Sequence, residues 1–204
     1  MRGAVLWDMD GTLVDSAEFH WQSWRETMAG EGVTLTHEQF METFGQRNDA
    51  ILPRWLGANV SAARVQAVGD AKEELYRKLV RQHGLRPLPG AAEWVQSLSR
   101  QGWPQAIASS APRANVVVVL EVMELGSFFQ AIVSAEDVTL GKPDPQVFLT
   151  AAARLGMPAT RCIVVEDASA GIEAARRAGM RSIDVRERPL ADLPVDTFEA
   201  LLGT

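Results

Sequence analysis

The 204-residue chain has one cysteine and no concentrated block of basic residues. A single thiol, Cys162, excludes an intrachain disulfide and fits a protein that folds in a reducing compartment. Lysine and arginine number 20 against 26 acidic residues, so the net charge is -6. Because nucleic acids and anionic membranes bind concentrated positive charge, the sequence predicts neither as a partner.

Long apolar segments are also missing. No run approaches the roughly 18 apolar residues that a membrane-spanning helix needs. The first acid, Asp8, comes too early for the apolar part of a signal peptide. The expectation is therefore a cytoplasmic protein, and a hydrophobic content of 47% allows it a substantial core.

What the sequence does contain is a series of short apolar runs separated by helix-like stretches. Each run is short enough to be a strand buried on both faces of a parallel sheet. The runs are Ala4–Trp7, Ala106–Ala108, Ala131–Val133 and Ile163–Val165, with a less apolar fifth at Arg181–Val185. The intervening helices are expected after Gly90, between Asp144 and Gly156, and over Ser169–Ala178. This alternation predicts a doubly wound, Rossmann-like α/β core.

Residues 15–86 interrupt this alternation. They contain no strand-like run but several helical patterns, including the capping box that begins at Thr36 and a stripe at Val65, Val68, Leu75 and Leu79. A crossover between parallel strands needs far fewer residues. We therefore predict a core formed by 1–14 and 87–204, with an inserted all-helical domain at 15–86.

Acidic pairs follow two of the predicted strands. Asp8 and Asp10 come after the first strand, and Glu166 and Asp167 end the strand that begins at Ile163. Parallel strands place their carboxyl ends at one edge, where carboxylates repel each other unless a cation lies between them. Oxygen ligands of this kind favour Mg²⁺. Each pair alone is also compatible with an acidic turn or a helix cap.

Two further segments predict phosphate binding. Ser109 and Ser110 end another strand, and a helix beginning near Pro112 would direct N–H groups the same way. Lys142 lies in a stiff loop between Gly141 and Pro143, where it is able to neutralise an anion at little ordering cost. Taken singly, the serines also fit a helix cap and the lysine a solvated surface charge.

In this order, the four motifs resemble those of the haloacid dehalogenase-like superfamily. They are Asp8-x-Asp10-Gly11-Thr12, Ser109, Lys142 and Glu166-Asp167, and the resemblance extends from Ala4 to about Ser182. The helical insertion falls where one branch of this family carries a small cap domain. That branch includes phosphoglycolate-type phosphatases and β-phosphoglucomutase.

The resemblance implies a Mg²⁺-dependent enzyme that acts on a small phosphorylated metabolite. Asp8 would be the nucleophile that forms an aspartyl-phosphate, and Asp10 the general acid and base. The implied metal ligands are Asp8, the main-chain carbonyl of Asp10, Asp167 and, directly or indirectly, Glu166. The implied phosphate-binding residues are Gly11, Thr12, Ser109, Ser110 and Lys142. A dehalogenase is not expected, because relatives of that kind generally lack an acid at the position of Asp10.

His20, Arg47 and Lys72 resemble cap residues that serve the sugar phosphate in β-phosphoglucomutase. Similar residues occur in sugar-phosphate phosphatases, and His20 also fits a packed position on an amphipathic helix. The run Ser109–Arg113 lacks the asparagine that the mutases have after the motif serine. A phosphatase is therefore the first expectation and a β-phosphoglucomutase the alternative. A non-catalytic binding module is the third, and the sequence carries no signal for an oligomeric state.

Overall fold

A computed structural model describes residues 3–194 and 196–202. Within them, five strands form one parallel sheet in the order β3-β2-β1-β4-β5. The strands are β1 Ala4–Trp7, β2 Gln105–Ala108, β3 Ala131–Val133, β4 Cys162–Glu166 and β5 Arg181–Asp184. The doubly wound parallel sheet predicted from the sequence is confirmed. Of the predicted core, residues 1, 2, 195, 203 and 204 lie outside the described part of the chain.

Alternate residues of the central strand enter two separate cores. Val5 and Trp7 pack on one face of the sheet, whereas Ala4 and Leu6 pack on the other. All four are fully buried, as expected for a strand covered by helices on both sides. The Trp7 indole still needs a partner, and it donates to the Gln105 side chain at 3.0 Å.

Five helices cover the sheet. They are α5 Ala91–Arg100, α6 Arg113–Val122, α7 Gln146–Arg154, α8 Ser169–Arg177 and α9 Thr197–Leu202. The helix expected from Asp144 begins slightly later, because Pro145 is its N-cap and the Asp144 carboxylate accepts from the Gln146 N–H at 3.0 Å. The last strand ends at Asp184 rather than at the predicted Val185.

The segment between β1 and α5 is helical, as the sequence predicted. Its helices are α1 Ala17–Gly30, α2 His37–Met41, α3 Asn48–Leu56 and α4 Ala62–His83. The capping box at Thr36 is present, with Gln39 as its partner. These helices share an apolar cluster that contains Trp24, Met28 and Leu52. Tyr76 and Val80 of α4, however, pack into the core on one face of the sheet. The division at 15 and 86 therefore stays a prediction.

None of the helices in residues 3–194 and 196–202 has both the length and the apolar character needed to cross a lipid bilayer.

Candidate active site

The sheet order brings the predicted motifs together. Asp8 follows β1, whose neighbours are β2, which leads to Ser109, and β4, which ends at Glu166. The chain order reverses beside β1, and α/β sheets of this type bind ligands at such a switch point. A cleft of about 730 Å³ opens here between the sheet edge and the helical insertion. It is lined by all the predicted site residues except Gly11 and Thr12.

Lys142 lies between two acids of this site. Its Nζ donates to Asp8 Oδ1 at 2.5 Å and to Glu166 Oε1 at 2.7 Å. Burial would lower the pKa of Lys142, but the two carboxylates outweigh it and raise that pKa above 10.5. The ammonium group is therefore a fixed positive charge beside Asp8.

Asp8, Glu166 and Asp167 form a carboxylate cluster in which one oxygen of each lies within 4.8 Å of the others. Burial, which Lys142 offsets only in part, raises the pKa of Asp8 well above 3.8, and Glu166 and Asp167 raise it further. Burial and the Glu166 charge also raise the pKa of Asp167, to about 6. One lysine thus leaves the cluster with unbalanced negative charge.

Two glycines permit this close approach. Gly11 has a φ of +87°, and a Cβ there would lie 2.3 Å from Asp167 Oδ2. A Cβ on Gly171 of α8 would lie 1.7 Å from Glu166 Oε1. The Thr12 hydroxyl donates to Asp167 Oδ1 at 3.0 Å. In this structure Gly11 therefore leaves room for the Asp167 carboxylate, and Thr12 donates a hydrogen bond to it.

The cluster fits a magnesium ion. Mg²⁺ binds through one or two carboxylates together with water and substrate phosphate. Asp8 and Asp167 provide carboxylate oxygens, and burial raises the pKa of both. A cation bound there would favour their charged forms. Asp10 is not part of this side-chain cluster, and the role predicted for it uses its main-chain carbonyl.

We expect Mg²⁺ to raise the melting temperature of the EDTA-treated protein, and more so at about pH 7.5 than at about pH 5. The pKa of Asp167 is about 6 in the folded protein against 3.8 for an ordinary Asp, so folded stability falls as pH rises through that window. A bound cation stabilises the folded protein, by about 2.7 kcal/mol when the cation concentration is a hundred times its dissociation constant. Differential scanning calorimetry measures the shift.

The matched variants for this experiment are Asp167→Asn and Asp192→Asn. Asp167→Asn should melt at a higher temperature than the wild type in EDTA and respond less to Mg²⁺, because one repelling charge is gone. Asp192 is exposed and should leave the response unchanged. Identical melting temperatures with and without Mg²⁺ at the higher pH would contradict the metal site.

Asp10 points to the helical insertion instead of the carboxylate cluster. Its Oδ1 accepts from the Ser16 hydroxyl and lies 3.4 Å from His20 Nε2. Burial would raise the pKa of Asp10, but these two groups and the Lys72 charge hold it below 3.8. Asp10 is therefore a carboxylate in the substrate-free protein, in the form that accepts a proton.

Lys72 is buried beside His20. Its Nζ lies 2.8 Å from His20 Nδ1 and donates to both Glu73 oxygens at 3.0 and 3.1 Å. Glu73 also accepts from Asn48 at 2.7 Å and from Asn115 at 2.5 Å. Glu73, Asn48 and Asn115 were not predicted from the sequence. The signal available in the sequence was a pair of adjacent opposite charges, at 72 and 73, within a stripe of apolar residues on a helix.

Arg47 connects the insertion to the loop that carries Lys142. Its guanidinium donates to the carbonyls of Ala135 and Val138 at 3.1 and 3.4 Å and forms an ion pair with Asp49. A Cβ on Gly141 would lie 2.9 Å from Arg47 Cδ, so the arginine stem packs against that loop. In this structure Arg47 thus closes one side of the cleft.

Ser109 and Ser110 lie where the sequence predicted, at the end of β2 and in the cleft. Ser109 Oγ accepts from the Ala111 N–H at 3.0 Å, which orients the hydroxyl. The first N–H of α6, that of Arg113, is bonded to the Glu136 carboxylate at 2.9 and 3.1 Å. The Arg113 N–H is therefore already bonded to a carboxylate. The serines and Lys142 remain the candidates for binding phosphate.

Known proteins are similar in sequence to this chain. A model of the haloacid dehalogenase-like hydrolases matches residues 5–185. Fructose-1-phosphate phosphatase YqaB of Escherichia coli is 32% identical over 89% of this chain and 95% of its own. The β-phosphoglucomutase of Bacillus subtilis is also 32% identical, over 94% of this chain and 88% of its own.

Solved structures agree with the fold. The crystal structure of β-phosphoglucomutase from Clostridium difficile superposes with a TM-score of 0.89 over 100% of this chain and 98% of its own, at 22% identity. That of CbbY from Rhodobacter sphaeroides, in complex with phosphate, superposes with a TM-score of 0.83 over 90% of this chain and 86% of its own, at 26% identity. β-Phosphoglucomutase and CbbY therefore share this architecture.

Proposed function

Because the chain belongs to the haloacid dehalogenase-like hydrolases, we propose that it is a Mg²⁺-dependent phosphatase of small phosphomonoesters. The observation that carries the proposal is the arrangement around Asp8. This buried carboxylate contacts Lys142 at 2.5 Å and lies within 4.8 Å of Glu166 and Asp167 oxygens. A nucleophile, a fixed cation and a fitting metal site thus meet at the switch point of the sheet.

Each group has a distinct role in the proposal. Asp8 attacks the phosphorus and forms an aspartyl-phosphate, which divides one displacement into two easier ones. Ser109 and Lys142 bind the phosphoryl oxygens. Mg²⁺, held by Asp8, Asp167 and the Asp10 carbonyl with Glu166 beside them, would reduce the repulsion between the anionic nucleophile and the anionic phosphate.

Asp10 moves the protons. It protonates the leaving alcohol in the first displacement and accepts a proton from water in the second. Its lowered pKa keeps it in the carboxylate form that accepts the proton in the second step. For the first step, a dianionic phosphate in the cleft raises the pKa of the neighbouring Asp10 carboxyl, because like charges favour the protonated form.

The charges of the cleft favour a phosphatase over a mutase. A sugar-phosphate mutase that works through a bisphosphate has to bind two phosphates at once. Within the described residues, each cation that lines the cleft is already paired with a carboxylate. The pairs are Arg47–Asp49, Lys72–Glu73, Lys142–Asp8, Lys142–Glu166 and Arg186–Asp184. In the proposal, the transferred phosphoryl group already competes with the acids for Lys142. A second phosphate would in addition have to displace the carboxylate partner of another of these cations.

The same charges suggest an uncharged, hydroxylated leaving group. The insertion side of the cleft presents Glu42, Asp49, Gln66 and Asp70. Carboxylates and amides accept hydrogen bonds from hydroxyl groups but repel a second anion. This lining suits the monophosphate of a sugar or a polyol. The Escherichia coli phosphatase described above is named for a sugar monophosphate, fructose 1-phosphate.

The mutase alternative has one observation in its favour. His20 lies 3.4 Å from Asp10 and 2.8 Å from Lys72, so the insertion reaches the proposed acid and base directly. In a mutase, such a contact would couple closure of the insertion over the site, which excludes water, to the proton transfers of Asp10. In a phosphatase, the same contact orients Asp10.

We expect the protein with Mg²⁺ to release inorganic phosphate from several sugar and polyol monophosphates. It should convert β-glucose 1-phosphate to glucose 6-phosphate negligibly, even with a glucose bisphosphate activator, because each cation that lines the cleft in the described part of the chain is paired with a carboxylate. A coupled assay measures both products in one reaction. Asp8→Asn protein, prepared identically, controls for contaminating phosphatases. Efficient isomerisation with little phosphate release would establish the mutase instead.

A further inference from the structure

A buried polar chain connects helix α6 of the core to His20. Asn115 Nδ2 of α6 donates to Glu73 Oε2 of α4 at 2.5 Å, and Asn115 Oδ1 accepts from Arg77 at 3.0 Å. Glu73 accepts from the ammonium of Lys72, which lies 2.8 Å from His20 Nδ1. The chain therefore extends from a core helix, through α4, to a side chain that contacts Asp10.

Burial fixes the members of this chain. Lys72 is 1% exposed, Asn115 0% and Glu73 5%. The Lys72 ammonium lies 5.0 Å from the Trp24 ring centre and 5.2 Å from that of Tyr76. Removing the partner of a buried charge strongly destabilises the folded protein. The ammonium is thus confined by two aromatic rings and one carboxylate to the position beside His20.

This position determines the tautomer of His20. An ammonium group has no acceptor, so His20 Nδ1 has to accept and cannot carry a hydrogen. The ring hydrogen is then on Nε2, which lies 3.4 Å from Asp10 Oδ1. The ring also stacks on Tyr76 with centroids 4.1 Å apart, which fixes its plane. His20 consequently offers a hydrogen-bond donor to Asp10.

We propose that Glu73 and Asn115 are positioning residues for Asp10. They hold Lys72 against His20 Nδ1, and His20 in turn directs Nε2–H to the Asp10 carboxylate. Because Asn115 belongs to the core and Glu73 to the insertion, the chain also makes the orientation of Asp10 depend on the contact between α4 and α6. The inference rests on the proposed role of Asp10 as acid and base.

The kinetic test is Glu73→Gln, which keeps the size of the side chain but removes the charge that holds Lys72. We expect kcat for a sugar monophosphate to fall by up to about 100-fold, as for a misplaced catalytic group, with a smaller change in KM. Asn115→Ser removes one bond to Glu73 and should act in the same direction by less. Glu74→Gln changes an exposed neighbouring acid and should leave both constants unchanged.

The spectroscopic test does not need activity. Nitrogen-15 NMR of the imidazole rings should show His20 of the wild type as the Nε2–H tautomer at neutral pH, assigned by its loss in His20→Gln. Glu73→Gln and Lys72→Met should convert it to a mixture, whereas Glu74→Gln should not. A wild-type His20 that carries hydrogen on Nδ1 would overturn the proposal, as would variants that leave the tautomer and kcat unchanged. A confirmed tautomer without phosphatase activity would refute the proposed function alone.

Discussion

Asp8→Asn is expected to abolish phosphate release, with kcat lower by about 10⁴-fold or more, the loss typical of a removed nucleophile. Asparagine has nearly the shape of aspartate but no anionic oxygen to attack phosphorus. Asp8 is 7% exposed, and Lys142 keeps a second partner in Glu166 at 2.7 Å, so the local structure should persist. Steady-state assays with saturating Mg²⁺ measure the loss.

Two controls make this result specific. Circular dichroism should show the same secondary structure in the variant and in the wild type. Asp192→Asn makes the same chemical change at an exposed position and should retain full activity. If Asp8→Asn keeps activity within tenfold of the wild type, Asp8 is not the nucleophile.

Asp10→Asn should reduce kcat by about 10²- to 10⁴-fold, the contribution typical of a general acid and base. The size of the effect should depend on the leaving group. A nitrophenolate leaves without a proton, so p-nitrophenyl phosphate should still phosphorylate Asp8 in the variant. Hydrolysis then lacks its base, and the phosphorylated protein should accumulate. Stopped-flow absorbance should show one burst of nitrophenolate followed by slow turnover.

The matched control for this variant is Asp15→Asn. Asp15 lies just beyond the same turn but is exposed, and it accepts a long bond, at 3.4 Å, from the Ala17 N–H. It should behave as the wild type. Steady turnover by Asp10→Asn at the wild-type rate, with no burst, would assign the proton transfers to another residue.

The sequence predicted the sheet and the acidic edge because both depend on local patterns. Short apolar runs such as Ala4–Trp7 indicate strands buried on two faces, and parallel strands bring their carboxyl ends together. The sequence alone therefore predicted that Asp8 and Asp167 lie near each other. The strand order depends on long-range packing and could not be obtained in this way.

Helix α4 buries residues that the predicted apolar stripe did not include. The predicted stripe at Val65, Val68, Leu75 and Leu79 is helical, but the deepest face of the helix contains Lys72 and Tyr76. A lysine on an apolar face is normally assigned to solvent. Its burial becomes favourable only with a carboxylate and hydrogen-bond partners, and Asn115 is distant in sequence.

Arg47 illustrates a second limit. Its resemblance to cap residues that serve a sugar phosphate predicts a role in substrate binding, and that role stays a prediction. In this structure the guanidinium is bonded to Asp49 and to the carbonyls of Ala135 and Val138. Which partners a flexible arginine selects depends on carbonyl groups of a distant loop, and these carry no signal in the sequence.

The most direct measurement of the central claim is to trap the phosphorylated enzyme. Wild-type protein should be quenched in acid during turnover of a sugar monophosphate with Mg²⁺, digested, and analysed by fragmentation mass spectrometry. We expect one phosphoryl group, bound to the Asp8 carboxylate and absent when EDTA replaces Mg²⁺. A phosphoryl group on another residue would contradict it, as would rapid turnover with no phosphorylated peptide at any quench time.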